Sequence, residues 1–563
     1  MKHTDNQPIA WIEAEPAPGT FRSVFKWGEH DRFKNPSQGF LKVIKDVLNL
    51  SANDLSQPLN TGETSIAELS PTPLSSTDIH ALESIVGKEN VCLDTVSRVR
   101  FATGKSMEDI LKLRSGIVDC VTDAVVHPRS RDDVSAIMTL CNSSGIPIQV
   151  YGGGSSVTLG LSCSHGGVTL VLATHMNRLL EFNEINQTIT VESGMMGPDY
   201  EKLLNSAPET MGSRHRYTGG HFPQSFEHSS VGGWVVTLGA GQASSYYGDA
   251  CDLVLSQEVI TPCGDLKTLE YPGTATGPKV NDILKGSEGC FGVLVAVTMK
   301  IFRYTPENRR AFSYMFPDFE SSVLATREIS QGEFGMPSIL RVSDPEETDV
   351  AMKMYGLDRS LPGLFLRMKK LMPGKRCLLM GQTEGEKHFS KNVAASVKDI
   401  CRRHNGVWLS SYPMKKWYHG RYSDAYLRDS LNDAGILIDT LETSVTWDTL
   451  HHLHSEVRAL IKQHPHTICM THSSHFYPQG TNLYFIFITR MQDLESFRNF
   501  QRSIIAKIVD NGGSLSHHHG VGKLMGPFME QHLGKVQMDV LRALKRHFDP
   551  NGIMNPGGTL GLD

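Results

Sequence analysis

Apolar and polar positions divide this 563-residue chain into an irregular leader and a long alternation of short strands and helices. Within residues 1–117, apolar positions recur at helical spacing over 40–50 (FLKVIKDVLNL) and 78–86. The Ser/Thr/Pro-rich stretch 65–77 between them reads as loop. A further helix is expected where Ser106 caps MEDILKL. From Val118 the texture changes: 124–126 reads as a strand, 131–141 as an amphipathic helix, and 148–150, 168–172 and 188–191 as strands. A β-rich run, LVAVTMKIF, follows residue 293, and 481–489 (TNLYFIFIT) reads as a sheet strand. The class is α+β.

Three loops of small residues interrupt this pattern. The strand 148–150 enters Tyr151, Gly152, Gly153, Gly154, Ser155 and Ser156, where glycines tolerate positive φ and let backbone N–H groups converge on an anion such as pyrophosphate. An ordinary glycine-rich turn between strands is the competing reading of that loop alone. Residues 219–264 hold Ser229, Ser230, Gly232, Gly233, Gly239, Ala240 and Gly241, and 286–293 reads GSEGCFGV. Tight packing of a helix on a sheet would explain the second loop, but three such loops in one domain favour a flat cofactor lying on the backbone. None opens a helix with G-x-G-x-x-G, so no nicotinamide fingerprint is present. Gly104-Lys105-Ser106 imitates the end of a phosphate-binding Walker loop, but Val99 stands where its first glycine would be.

Length and composition narrow the classes further. The chain is too long for a single core. A net charge of -5 gives no reason to expect nucleic acid. The ten cysteines lack C-x-x-C spacing and read as small buried hydrophobes in a reducing compartment. No run of roughly eighteen apolar residues occurs, so no membrane span is expected. The N-terminus has no apolar signal core and the final Gly-Leu-Asp is no peroxisomal tripeptide, which makes cytoplasmic residence the default.

In their order along the chain these motifs resemble the vanillyl-alcohol-oxidase, or PCMH-type, FAD-binding proteins. Within them the chain is similar to the alkyldihydroxyacetonephosphate synthases over about 118–557, through HSSVGGWVVT at 228–237, LETSVTWDTL at 441–450 and GGSLSHHHGVGKL at 512–524. The terminal DPNGIMNPG at 549–557 is shared across the wider flavoprotein family. The resemblance implies a two-subdomain FAD-binding domain with an α+β cap. Its boundaries would be a helical leader (1–117), the FAD domain (118–305), the substrate cap (306–505) and a C-terminal segment (506–563) completing the site.

FAD would be lined by Tyr151 to Ser156, by Ser225, Phe226, Glu227, His228, Ser229 and Ser230, by Thr237, Leu238, Gly239 and Ala240, and by Glu288, Gly289, Cys290, Phe291, Gly292 and Val293. Covalent members often carry histidine where this chain has Gly154, so a noncovalent flavin is expected. The implied reaction replaces the acyl group of an acyl-dihydroxyacetone phosphate by a fatty alcohol, forming an ether. Flavin serves as a covalent handle without net electron transfer.

By the same resemblance Tyr484 is the base that removes a carbon-bound proton. A tyrosine with an ordinary pKa of about 10 needs nearby positive charge to ionise at neutral pH. Arg341 and Arg428 are the expected substrate-binding guanidiniums, suited to bidentate oxygen recognition. His517, His518 and His519 are the further catalytic candidates. Consecutive side chains of an extended strand point to opposite faces, and no cysteine or carboxylate has ligand spacing to them, so no metal is assigned.

Residues 356–380 mix Leu364, Phe365, Leu366, Leu371 and Met372 with Arg367, Lys369, Lys370, Lys375 and Arg376. They read either as a segment resting on an anionic membrane or as a basic hairpin packed on its own domain. The implied partners are a lipid-like substrate and, since family members are usually dimers, a second copy of the chain.

One departure stands out. The family commonly has Thr-Arg-Ala-Ser-Gly followed by a lysine pair, whereas 237–245 reads TLGAGQASS. Another substrate is therefore a live alternative. The rival reading is an FAD-linked dehydrogenase or oxidase of a hydroxy acid or alcohol; a third is a flavin-binding protein without activity.

Overall fold

The computed structural model describes residues 11–51, 53–55, 58–355, 357 and 361–562. The helices expected in the leader form as Gln38–Leu48, Ser76–Val86 and Met107–Arg114. In the last, the Ser106 hydroxyl accepts the N–H of Asp109 at 3.0 Å, satisfying one of the donors a helix start leaves open. The amphipathic segment after residue 130 forms the helix Arg131–Ser144, which stops where Gly145 adopts a left-handed φ of 66°.

Two larger sheets and a two-stranded one, Tyr217–Thr218 with Phe302–Arg303, build the first half. The strands Val91–Cys92, Ala124–Val126, Val168–Val171 and Ile148–Tyr151 form one in that spatial order. Its edge strand, Val91–Cys92, comes from the region read as a leader, because Val91 pairs with Val126. The C-terminal DPNGIMNPG run closes the other edge: Ile148 N–H donates to Ile553 O at 2.7 Å, and Asn555 N–H to Ile148 O at 2.8 Å. The second sheet has the order Leu179–Asn183, Thr188–Glu192, Val293–Lys300, Val254–Thr261, Gly264–Lys267.

The second half is one antiparallel sheet. Its order is Val407–Trp408, Arg310–Phe316, Cys377–Thr383, Ile339–Ser343, Ile468–Ser473, Gly480–Thr489, Leu437–Thr446, with Phe476–Tyr477 paired beside Gly480–Thr489. Alternation along Gly480–Thr489 sends Leu483, Phe485 and Phe487 into a core shared with Leu453 and Val457 of the helix Leu450–Gln463 and with Phe497 and Ile504 of Leu494–Asp510. Tyr484 and Ile486 must then face the other way. That face is the functional one.

The leader is not loose packing material. Phe40, Leu41, Ile44 and Leu48 share a core with Leu431, Ile468 and Ile488 of the second half. Asp433 accepts from both Arg22 and Arg114, at 2.7 and 2.6 Å, with all three side chains buried. Breaking such a buried pair strands a charge, so the leader and the cap are fixed to one another.

Candidate active site

A cavity of about 420 Å³ lies between the glycine loop and the Tyr484 face of the large sheet. On one side it is lined by Gly152 to Thr158, Ser229, Ser230, Thr237, Gly239, Ala240, Glu288, Gly289 and Gly292; on the other by Arg341, His472, His475, Tyr484, His518 and His519.

The glycine loop is built for an anion. The N–H groups of residues 153 to 158 donate to no acceptor among the described residues, although their loop lines the cavity. Consecutive unpaired amides of this kind form a concavity for phosphate oxygens. The glycines also have a packing role: a β-carbon on Gly153 would lie 2.2 Å from His228 O, and one on Gly152 2.4 Å from Ser230 Oγ. Gly154 has a left-handed φ of 72°, and its β-carbon would sit 1.9 Å from the Tyr151 hydroxyl. The Tyr151 ring thus fills the space a linking histidine at 154 would need. These features fit a dinucleotide held without a covalent bond. Acid-denatured protein is expected to release its flavin intact, with flavin retained in the precipitate as the opposing result.

Strand register assembles the chemistry opposite that cradle. His472 pairs with Tyr484, which pairs with Glu442, so one side chain from each of three neighbouring strands lies in a row on one face. The His472 and Tyr484 rings stack at 4.8 Å, and Tyr484 meets His518 at 5.8 Å and His519 edge-on at 5.4 Å. The Tyr484 hydroxyl donates to Thr440 Oγ1 at 3.1 Å. Burial pushes this phenol up to about 12, and the Glu442 and Asp439 carboxylates push the same way against the Thr440 hydrogen bond and Arg341. The tyrosine is therefore protonated at rest, and the expected ionisation by positive charge is not what its surroundings favour.

The three histidines are irregular loop, not strand, and the loop is wrapped around Glu442. This fully buried carboxylate accepts from Ser516 Oγ at 2.6 Å and from the N–H groups of His517, His518 and His519 at 2.7, 3.2 and 3.0 Å. Burial alone would raise its pKa; the neighbouring imidazoles, as they take up protons in acid, together with Ser516 outweigh burial and hold it at about 2. His518 and His519 reach the cavity, whereas His517 turns to the Tyr477 hydroxyl at 2.8 Å. Ring nitrogens of His475, His517 and His518 gather within 4.8 Å of one another. They are already engaged, His475 with Ser244 Oγ at 2.7 Å and His517 with His518 at 3.1 Å. Burial lowers the pKa of all three, so they sit together as neutral rings.

Both expected arginines line the cavity. Arg341 is ion-paired with Glu347 and reaches His472 Nδ1 at 3.0 Å. Arg428 donates to Lys105 O at 2.7 Å and keeps buried Nε and Nη2 atoms without a partner. Lys105 N–H in turn bonds Ser156 O at 2.7 Å, which couples Arg428 to the glycine loop.

Several expected FAD contacts turn away from the cavity. Phe226 stacks on Trp234 and Tyr422, Glu227 pairs with Arg32, and His228 meets the Tyr426 hydroxyl. Leu238 is exposed, Cys290 is buried beside Thr559, Phe291 packs on Phe548, and Val293 belongs to a strand core. In these loops the small residues face the cavity and their bulkier neighbours anchor the loop.

The sequence did not single out Glu442, His472, His475 or Trp27. Trp27 reaches the cavity because Gly28, at a φ of 62°, turns the leader there; a β-carbon on Gly28 would lie 2.2 Å from the Tyr426 hydroxyl. The Arg428 guanidinium lies 5.1 Å above the Trp27 ring.

Comparison with known proteins bears on this geometry. Residues 122–270 match the "FAD binding domain" family model, and 305–559 match "FAD linked oxidases, C-terminal domain". The chain is 31% identical to an alkyldihydroxyacetonephosphate synthase of Dictyostelium discoideum over 482 residues, 82% of this chain and 77% of that one. With the Trypanosoma brucei brucei protein of the same name it shares 28% over 93% of this chain and 88% of the relative. A solved alkyldihydroxyacetonephosphate synthase superposes with a TM-score of 0.80 at 25% identity, covering 95% of this chain and 98% of the other.

Proposed function

Because this chain belongs to the alkyldihydroxyacetonephosphate synthase family, we propose that Tyr484 and the histidine loop around Glu442 exchange an acyl for an alkoxy group on a phosphorylated ketone. The protein is an FAD-dependent enzyme, and the α+β class with an FAD domain and a cap, expected from its motifs, holds. The substrate is an acyl-dihydroxyacetone phosphate, the second substrate a fatty alcohol, and the product an ether lipid precursor. The observation that carries the assignment of roles is that His472 and Tyr484, with His518 and His519 pinned beside them by buried Glu442, face the open amides of the glycine loop across one cavity.

When bound, FAD supplies a reversible electrophile for the substrate carbon and needs no net electron transfer. The amides of 153 to 158 would hold its pyrophosphate without a covalent link. Arg428, with its two open buried donors, and Arg341 hold substrate oxygens. Tyr484 takes the carbon-bound proton, and its own proton leaves toward neighbouring neutral imidazoles, His518 and His519 among them. Ile339, Leu340, Ile438 and Ile486 give the cavity an apolar wall that keeps water from the carbon.

A lipid substrate needs a route from a membrane. Part of the basic apolar stretch 356–380 lies outside the described residues. Of the described part, Leu364, Phe365, Met368 and Met372 are exposed beside Arg367, Lys369 and Lys370, a combination suited to an anionic interface. No helix among the described residues is long and apolar enough to cross a membrane, so a peripheral contact is the form we propose. A homodimer is likewise a proposal.

The test is a pair of incubations: palmitoyl-dihydroxyacetone phosphate with labelled hexadecanol, and hydroxy acids with an acceptor dye. Labelled ether with no acceptor consumed is the expected result. Dye reduction by a hydroxy acid without ether formation would replace this reading by the dehydrogenase.

A further inference from the structure

A third arginine enters the cavity wall and has no role so far. Arg421 directly follows the helix Tyr412–Gly420 and lies four residues after Trp417, so both share one side of the chain. Trp417 also lines the cavity, with the Arg341 guanidinium 5.8 Å from its ring. Arg421 lines both the cavity and a small recess beside it, walled by Phe222, Gln242, Gln382, Tyr418 and the Arg309–Glu384 ion pair. The guanidinium lies 3.8 Å from the Tyr418 ring centroid, 4.4 Å from Tyr422 and 6.0 Å from Phe222. Aromatic faces on several sides fix its plane at small entropic cost.

Charge accounting sets this arginine apart. Arg341 is neutralised by Glu347, and Arg428 feels the carboxylates of Asp429 and Asp439. Arg421 makes no ion pair with a carboxylate among the described residues. The acidic groups near it are committed: Glu384 to Arg309 and the Tyr247 hydroxyl, Asp424 to Lys34, Glu227 to Arg32. Its contact with Tyr418 O, at 2.7 Å, is a helix-capping bond that uses one of five guanidinium donors. Beside it the Gln242 side-chain oxygen is buried without a partner, and half a turn of that amide presents an NH₂ in its place. The adjoining loop 237–245 contains no cation.

We propose that Arg421 is the anchor for the phosphate monoester of the substrate headgroup, and so determines specificity for phosphorylated over neutral ketones. This rests on the substrate assignment above. A planar fork held flat by aromatic rings, without a counterion, matches a phosphate's oxygens in pairs. Arg341 and Arg428 are then left to orient the ketone and ester oxygens.

The test is calorimetric titration of the FAD-loaded enzyme with dihydroxyacetone phosphate, inorganic phosphate and hexadecanol, in wild type, R421Q and R421K. We expect R421Q to weaken the monoester about 30-fold, R421K to fall between the two, and hexadecanol binding to stay unchanged, which certifies a folded site. Monoester affinity in R421Q within twofold of wild type overturns the proposal, as does equal loss of hexadecanol. Inorganic phosphate bound as tightly as the monoester and weakened equally by R421Q would assign Arg421 to free phosphate and overturn its role in substrate recognition. Binding is read apart from turnover: if no ether forms but R421Q still loses the monoester, the reaction falls and the anchor stands.

Discussion

Tyr484→Phe is expected to retain FAD, remain yellow and lose acyl-for-alkoxy turnover by about a thousandfold, the scale on which a positioned proton acceptor acts. Phenylalanine keeps the stacking on His472 and His518 but deletes the hydroxyl that bonds Thr440. The cavity and its glycine cradle are untouched, so cofactor content separates loss of chemistry from loss of fold. With the phenol pushed up to about 12, its ionised fraction grows as pH rises through neutrality, and wild-type turnover should climb with it. A Tyr484→Phe enzyme turning over within tenfold of wild type would remove the residue from the mechanism.

The second large effect belongs to Glu442. Alanine there would leave the Ser516 hydroxyl and the N–H groups of His517 and His518 without their acceptor, leave His519 N–H only Ser516 Oγ, and unpin the loop carrying His518 and His519. We expect a stability loss of about 3–5 kcal/mol, the usual result of removing one partner from a buried charged cluster, together with loss of turnover. Glutamine restores the shape but not the charge and should separate the two consequences. The carboxylate is lowered from 4.5 to about 2 on folding. Its stabilisation is therefore fully present above about pH 4.5 and lost as pH falls toward 2, on the order of 3 kcal/mol in all. Acid titration of stability in Glu442→Gln should lack that component; an unchanged acid profile would show that the cluster is not held by charge.

These two residues also mark what could be read in advance. Tyr484 was legible because its strand carries a family pattern, and the glycine loop because three small-residue segments in one domain point to a flat ligand. Glu442 lay within LETSVTWDTL, yet in an alternating strand a carboxylate reads as a solvent-facing residue until the opposite strand is known. His472 and His475 have the same difficulty. They join the site through pairing with Gly480–Thr489 and through the turn at Phe476–Tyr477, and strand register is a long-range property that periodicity does not encode. The leader looked irregular because its helices are short. Its role depends on Gly28 turning Trp27 into the cavity and on the Arg22–Asp433 pair, a contact across 411 residues. That Gly154 offers no linking side chain is plain from the sequence, but the reason it must be small, the Tyr151 ring pressed against it, follows only from the fold.

The central claim is that a phenol on the cap sheet moves a carbon-bound proton of the phosphorylated ketone while no electrons leave the site. Acyl-dihydroxyacetone phosphate deuterated at the ester-bearing carbon, incubated with enzyme and hexadecanol in ordinary water and without an electron acceptor, tests it most directly. The account predicts ether product that has lost one deuteron to solvent, with no such loss in Tyr484→Phe. Ether that keeps both deuterons, or washout that persists in the phenylalanine variant, would contradict it.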